Sequence, residues 1–381
     1  MDFDYAVAPL LLLLAGVVVV WLSVGRILTL KSKAFRLWRR IAEEFVLTVV
    51  ILIIAVIAGS ASYNAVAHHW FRAHNPPGGE FYLVNGHRMR MECMGNGSPT
   101  IVLESGLGTD ALVWGAVQPA LAKTTRVCSY DRAGLGWSDA VAGPRDADHI
   151  AAQLHELLLQ ANVSGPIVLM GHSIAGVYLR ETLTRYPEQV AGLVLVDSST
   201  PYQHRNPSMK AAEAKLSPIG PQLLLYRSAM ILGLPRLFGS CSRTLPGFDP
   251  HAGSMEAEAD CAPSVWTAMR EEDGVEESNR ETEHTGPFGA LPILIFSHDP
   301  AGNLPKVNPP QPLVEYQQAW SQLQEDLKKL STRSRRIIAR GSGHTIQLDR
   351  PDVLTKEVPV FIEQIRGAAP QPASYGSTIT E

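Results

Sequence analysis

Along the chain the apolar residues fall into three regimes: two long unbroken stretches at the start, then short runs of four to eight, then a polar tail. Tyr5 to Val24 carries no charge, and neither does Phe45 to Ala67, where no polar stripe is evident. As helices, stretches of this length reach roughly 30 Å, the thickness of a bilayer's hydrocarbon core. They predict two transmembrane helices, at about residues 5–25 and 45–67, within an anchor over residues 1–73. Arg26, Lys31, Lys33, Arg36, Arg39 and Arg40 lie between them, while the amino terminus has Asp2 and Asp4 but no basic residue. A basic loop stays cytoplasmic, so both outer ends of the hairpin are expected outside and the rest of the chain extracytoplasmic, in a two-span, multi-pass cell-membrane protein.

His74-Asn75-Pro76-Pro77-Gly78-Gly79 reads as a linker, because prolines remove helix donors and glycines loosen the backbone. From residue 80 the pattern changes. Phe81–Val84 and Arg88–Cys93 read as a hairpin across Asn85-Gly86, a type I′ turn signal. Thr100–Glu104, Arg126–Tyr130, Ile167–Met170, Gly192–Val196, Ile293–Phe296 and Arg336–Ala339 are further strand-like runs. Amphipathic helices are expected between several of them, at Asp146–Ala161 and Ile174–Tyr186. Strands alternating with helices predict an α/β domain over residues 80–367, a mostly parallel sheet covered on both faces. Residues 201–287 interrupt the alternation with helix-prone, apolar sequence and read as a cap inserted over the sheet edge where ligands bind. Residues 368–381 read as a disordered tail.

Composition adds exclusions. With 45% apolar and 18% charged residues, 381 residues can bury a large core. A formal net charge of −4 gives no reason to expect nucleic acid as a partner.

The chemistry begins at Gly171-His172-Ser173-Ile174-Ala175. This motif follows a predicted strand and opens a predicted helix, the setting of a nucleophile elbow, in which a strained turn projects the serine hydroxyl above the sheet. A hydroxyl needs a base to take its proton as it attacks. With this elbow the chain resembles the α/β-hydrolase superfamily from about Gly79 to Arg366, a fold of eight strands with a helical cap. Other segments carry the likeness: Ile101–Gly108 is similar to the third strand and oxyanion loop, with Ser105 in place of the usual His. Tyr130–Asp139 looks like the loop after the fourth strand, Leu193–Asp197 like the sixth strand, and Gly341–His344 followed by Asp349–Pro351 like the catalytic histidine loop.

The resemblance implies a serine hydrolase that cleaves a carboxylic ester or amide through an acyl-enzyme on Ser173, with His344 as general base. The orienting acid is expected to be Asp299, after the strand Ile293–Phe296, with Asp197, at the end of Leu193–Val196, as the alternative. The oxyanion donors would be the backbone N–H groups of Ile174 and, by resemblance, Leu107. Asp131 and Arg132 brace their loop. His172 reads as a packing residue, and His298, His68, His69 and His74 as solvated. His155-Glu156 lacks the second histidine of a zinc-protease motif, so neither metal nor cofactor is implied. A small ester or amide, lipid-like given the anchor, is the expected substrate, and the bilayer the expected partner. An acyltransferase using the same triad, or a catalytically silent tethered binding module, remain alternatives. Cys241 and Cys261, 20 positions apart in the cap, are expected to pair in an oxidising compartment. By resemblance Cys93 and Cys128 lie on neighbouring strands, and free thiols are expected there.

Overall fold

The computed structural model describes residues 16–26, 37–214, 219–245, 247–248, 250–273, 276–302, 304–305, 307–367 and 375–381. Among the described residues nine strands form one sheet: β1 (Glu80–Val84), β2 (His87–Met94), β3 (Thr100–Glu104), β4 (Val127–Tyr130), β5 (Ile167–His172), β6 (Val190–Val196), β7 (Ile293–His298), β8 (Ser334–Ala339) and β9 (Thr378–Thr380). Their order is β1-β2-β4-β3-β5-β6-β7-β8-β9. The first hairpin and the β2–β4 pair are antiparallel, and every other pair is parallel. Asn85 and Gly86 both take positive φ, 49° and 83°, as a type I′ turn requires.

The central strands are buried on both faces, and alternation sorts their side chains. Val102, Leu169, Leu193 and Ile295 join one core with Leu154, Leu157, Leu179 and Leu183 of the helices Ala147–Gln160 and Ala175–Arg185. Leu103, Met170, Val194 and Phe296 join the other with Trp114 and with Val358 and Phe361 of the helix Pro351–Arg366. Asp146 starts its helix as an N-cap, its carboxylate accepting from the His149 N–H at 2.9 Å.

Two expectations about strands and cysteines are corrected. The tail is not wholly irregular: residues 368–374 lie outside the described residues, but Thr378–Thr380 pairs with β8 and makes the ninth strand. Cys93 and Cys128 are not free thiols. They stand opposite each other in the β2–β4 ladder with Cα atoms 4.0 Å apart and are joined as a disulfide. Cys241 and Cys261 are joined as well, across the insertion.

Between β6 and β7 the chain leaves the sheet for the helices Pro207–Glu213, Ile219–Ile231, Leu234–Leu237, Pro250–Ala259, Pro263–Asp273 and Glu276–Thr282. Before the sheet runs one long helix, Leu37–His74. Among the described residues one helix is long and apolar enough to cross a membrane, over Ile41–His74, and only 17% of its most apolar window is buried. The first expected span lies mostly outside the described residues, which include its end as a shorter helix, Gly16–Arg26. The long helix also carries a stripe that hydropathy hides. Ser60 Oγ donates to the Leu232 carbonyl at 2.7 Å, Asn64 Nδ2 donates to the Met230 carbonyl at 2.8 Å, and His68 Nδ1 lies 2.9 Å from Glu258 Oε1. These residues recur every fourth position, so they share one helix face, and that face is seated on the cap. His68 is therefore buried and partnered rather than solvated.

Candidate active site

The site stands at the carboxyl ends of β5, β6 and β7, where parallel sheets leave backbone groups and loop residues to meet a ligand. Ser173 follows β5 directly, and its φ of +56° is the left-handed conformation an elbow imposes on a non-glycine residue. Backbone bonds hold the turn: Ser173 N donates to the Val196 carbonyl at 3.1 Å, and the Ser173 carbonyl accepts from Gly176 and Ser199 at 3.0 and 2.8 Å. Small residues are obligatory here. A Cβ on Gly171 would sit 2.6 Å from Leu179 Cδ1, and one on Gly176 would sit 2.5 Å from Ser198 Cβ.

His344, on the loop after β8, places Nε2 3.0 Å from Ser173 Oγ. Its Nδ1 lies 2.5 Å from Oδ2 of Asp197, not of Asp299. Asp299, expected as the acid, instead ties two loops: its carboxylate accepts from Ala301 N and from Gly341 N, both at 3.0 Å. The physical reason is the turn each strand makes. Asp197 directly follows β6 with φ +44°, which carries its side chain under the histidine loop, fully buried. Asp299 directly follows β7 in the same way but without a positive φ, and it is only half-buried.

Four donors converge on the Asp197 carboxylate. They are His344 Nδ1, His298 Nδ1 at 2.7 Å, the His298 backbone N–H at 3.0 Å and the Trp320 indole N–H at 3.0 Å. Burial alone would raise its pKa, but the hydrogen bonds from His298 and His344 outweigh that and hold it far below the ordinary carboxylate range. His298 is the reverse case. Burial works against its cation, yet the Asp197 carboxylate beside it raises its pKa above the ordinary imidazole value. Its Nε2 faces the Gln317 side-chain oxygen. Far from being solvated, as its sequence suggests, His298 is part of the frame of the site. The cue was its place at the end of a strand adjacent to the one ending in Asp197. His172 is buried, with Nε2 3.0 Å from the His344 carbonyl, so it fixes the histidine loop rather than merely packing. Burial, then the neighbouring His344, lowers its pKa to about 3, which keeps the ring neutral.

The loop after β3 lies across the elbow. A Cβ on Gly106 would sit 3.4 Å from Ser173 Cβ, and Leu107 packs with Ile174 in one apolar cluster. The two expected oxyanion donors thus belong to adjoining residues. Arg132 holds this loop from below, donating to the Ser105 carbonyl at 2.5 Å and the Gly106 carbonyl at 2.7 Å. The same guanidinium pairs with Glu104 of β3 at 2.9 Å and with Glu272 of the cap at 2.8 Å. Arg145 pairs with Glu272 too. Burial favours the neutral acid at Glu272, but the charges of Arg132 and Arg145 pull its pKa below the ordinary value. Asp131 accepts from Ala111 N and Trp137 N at 2.9 and 3.0 Å, which braces its own loop.

Asp197, His298 and His344 also offer ligand atoms within 4.8 Å of one another, a spacing a metal ion could use. Both imidazole Nδ1 atoms are already spent on the Asp197 carboxylate, which fits a proton-relay arrangement better than a metal site.

Comparison with known proteins agrees with this architecture. A model of the alpha/beta hydrolase family matches residues 101–357. An "AB hydrolase superfamily protein" of Gibberella zeae is 25% identical over 70% of this chain and 87% of its own length. "Probable transporter efuK" of Hormonema carpetanum is 28% identical over 70% of this chain, which spans only 40% of that protein. Among solved structures, epoxide hydrolase CorEH superposes with a TM-score of 0.51 at 16% identity, covering 75% of this chain and 99% of that one, a likeness of fold alone.

Proposed function

The chain belongs to the alpha/beta hydrolase family, and from that premise we propose that it is a membrane-anchored serine hydrolase that cleaves a carboxylic ester or amide. One observation carries this reading: Ser173 Oγ, His344 Nε2, His344 Nδ1 and Asp197 Oδ2 form an unbroken hydrogen-bonded line of 3.0 and 2.5 Å. A serine at the elbow also argues against epoxide opening, for which that position would carry a carboxylate.

In the proposed mechanism Ser173 Oγ attacks the substrate carbonyl while its proton passes to His344 Nε2. Asp197 holds the ring in the tautomer whose Nδ1–H faces the carboxylate and offsets the imidazolium charge. The oxyanion accepts from the N–H groups of Ile174 and Leu107, each contributing about 3 kcal/mol to the lowered barrier. His344 then returns the proton to the leaving alcohol or amine. Water, deprotonated by the same ring, releases the acid and restores the serine.

The proposed setting is the outer face of a membrane. Ile41–His74 serves as a span, and Gly16 lies against Ile54, which suits a second helix beside the first. Arg36, Arg39 and Arg40, ahead of the apolar part of the long helix, favour a cytoplasmic start, and two disulfides suit an oxidising compartment. Lipid-like esters follow as the substrate class. The test is labelling by a fluorophosphonate probe together with turnover of p-nitrophenyl esters of increasing chain length. Wild type should label and favour long chains, and Ser173→Ala should do neither. Labelling that survives in Ser173→Ala would place the nucleophile elsewhere.

A further inference from the structure

The cap helices carry an exposed apolar face that the fold does not explain. Leu224, Leu225, Tyr226, Leu234, Leu237 and Phe238 all lie open, with Leu225 70% and Phe238 84% exposed. A soluble surface seldom gathers so many large apolar side chains in a short stretch, and such patches mark binding surfaces.

The long helix fixes where this face sits. Along it, Ser60 precedes Asn64 by one turn, and the apolar stretch lies on the Ser60 side. Ser60 holds the Leu232 carbonyl and Asn64 holds the Met230 carbonyl, so the cap chain advances toward the apolar stretch as it runs from Met230 to Leu232. Gly233 takes φ +71° and lies against Ser60, close enough that a Cβ would sit 2.7 Å from the Ser60 carbonyl oxygen. The short helix Leu234–Leu237 follows at that level. Arg236 turns back the other way, donating to Asn64 Oδ1 at 2.7 Å and pairing with Glu258 at 2.5 Å, which leaves Leu234, Leu237 and Phe238 as the outward set.

Phe45 is the first residue after the acidic pair Glu43-Glu44, and from it to Ala65 the helix rises roughly 30 Å, the thickness of a hydrocarbon core. Phe45, Val49, Leu52 and Val56 along it are exposed. The far boundary of that core therefore falls about one turn beyond Ser60, beside Asn64, which also holds the cap. Tyr63, which is exposed, stands close to that level, where aromatic rings favour the headgroup layer.

We infer that the Leu224–Phe238 face of the cap is seated in the interfacial layer of the same bilayer that the long helix crosses. The occupant is a phospholipid surface. The cap is then an interfacial element held at a fixed depth by the stripe Ser60, Asn64 and His68. This rests on the anchor reading above, and the experiment separates the two.

All four native cysteines are in disulfides, so an introduced cysteine offers a single thiol for an environment-sensitive fluorophore. The full chain, reconstituted into phosphatidylcholine–phosphatidylglycerol vesicles, is labelled in turn as Leu225→Cys, Phe238→Cys, Val49→Cys and Leu159→Cys. Leu159 is an exposed residue of the hydrolase domain and reports the aqueous reference. At 225 and 238, quenching by iodide should be several-fold weaker than at 159. Quenching by lipids with a nitroxide just below the headgroup should be several-fold stronger. Position 49 should respond to a nitroxide near the chain ends. Iodide access at 225 and 238 equal to that at 159, with 49 still lipid-quenched, overturns the interfacial cap and leaves the anchor standing. Shielding from iodide without lipid quenching means that protein covers the face and also overturns the proposal. Iodide access at 49 overturns the anchor and the cap placement together.

Discussion

Asp197 and Asp299 are separated by one strand and differ in kind. The first is an anion held by four donors under the histidine, and the second is a brace between two loop backbones. Asp197→Asn should therefore lower kcat by about ten-thousand-fold while the fold persists, because the ring loses both its tautomer and its counter-charge. Asp299→Asn keeps an acceptor for Gly341 and should change kcat only a few-fold. Steady-state kinetics with circular dichroism on both variants checks this, and equal losses would reassign the acid. Much at this scale was legible. Ser173 and His344 announced themselves through glycine-flanked turns, since close backbone approach leaves a mark in the sequence. The acid did not. Any carboxylate at the end of either strand satisfies the pattern, and only the direction of the turn after the strand decides. His298 and His172 were illegible for a related reason, as their partners lie 101 and 172 positions away.

At the scale of elements, the cap meets the hydrolase sheet through buried acids as well as apolar contacts. Glu256 of the helix Pro250–Ala259 lies near Asp110, which caps the turn Ala111–Trp114. Burial, then the charge of Asp131, pushes Asp110 up to about 7, and burial with the charge of Asp110 pushes Glu256 well above the ordinary range. Both acids thus bind protons more tightly folded than unfolded. Their contribution to stability is greatest at low pH and declines as pH rises from about 4, the unfolded carboxylate value, through about 7. Glu256→Gln keeps a donor for Asp110 and removes one titration, so its thermal midpoint should exceed that of wild type at pH 8 and approach it at pH 5. Scanning calorimetry at the two pH values reads the difference, and identical pH dependence would dismiss the pair. Strand positions were legible almost throughout, because runs such as Leu193–Val196 and Ile293–Phe296 are apolar on both faces. The Cys93–Cys128 bond was missed because adjacency of strands does not give register, and register puts the two residues opposite each other.

For the whole molecule the decisive element is the long helix, which belongs to two environments at once. Its turns from Phe45 to Val56 are apolar and largely exposed, while Ala58, Ala61 and Ala65 are buried and Phe71 packs with Trp137 and Met255 of the folded domain. A chain that starts at Ile57 should keep the cap resistant to limited proteolysis. A chain that starts at Pro76 should be cut readily between residues 219 and 262, as mass spectrometry of the fragments would show. Equal resistance would mean that the stem contributes nothing to the cap. Hydropathy obscured this division, since a small residue facing a protein and one facing lipid score alike. The polar stripe at Ser60, Asn64 and His68 was the available sign, diluted among aliphatic neighbours.

The guanidinium of Arg132 is shared between the loop over the nucleophile and Glu272 of the insertion, with Arg145 on the same acid. Exchanging insertions among relatives, a common way to reshape selectivity, thereby acquires a charge rule. A graft that lacks an acid at position 272 takes a carboxylate from both buried cations, leaving Glu104 to pair with Arg132 beside the loop it holds over Ser173. Such chimeras should be assembled with positions 132, 145 and 272 transferred as one unit.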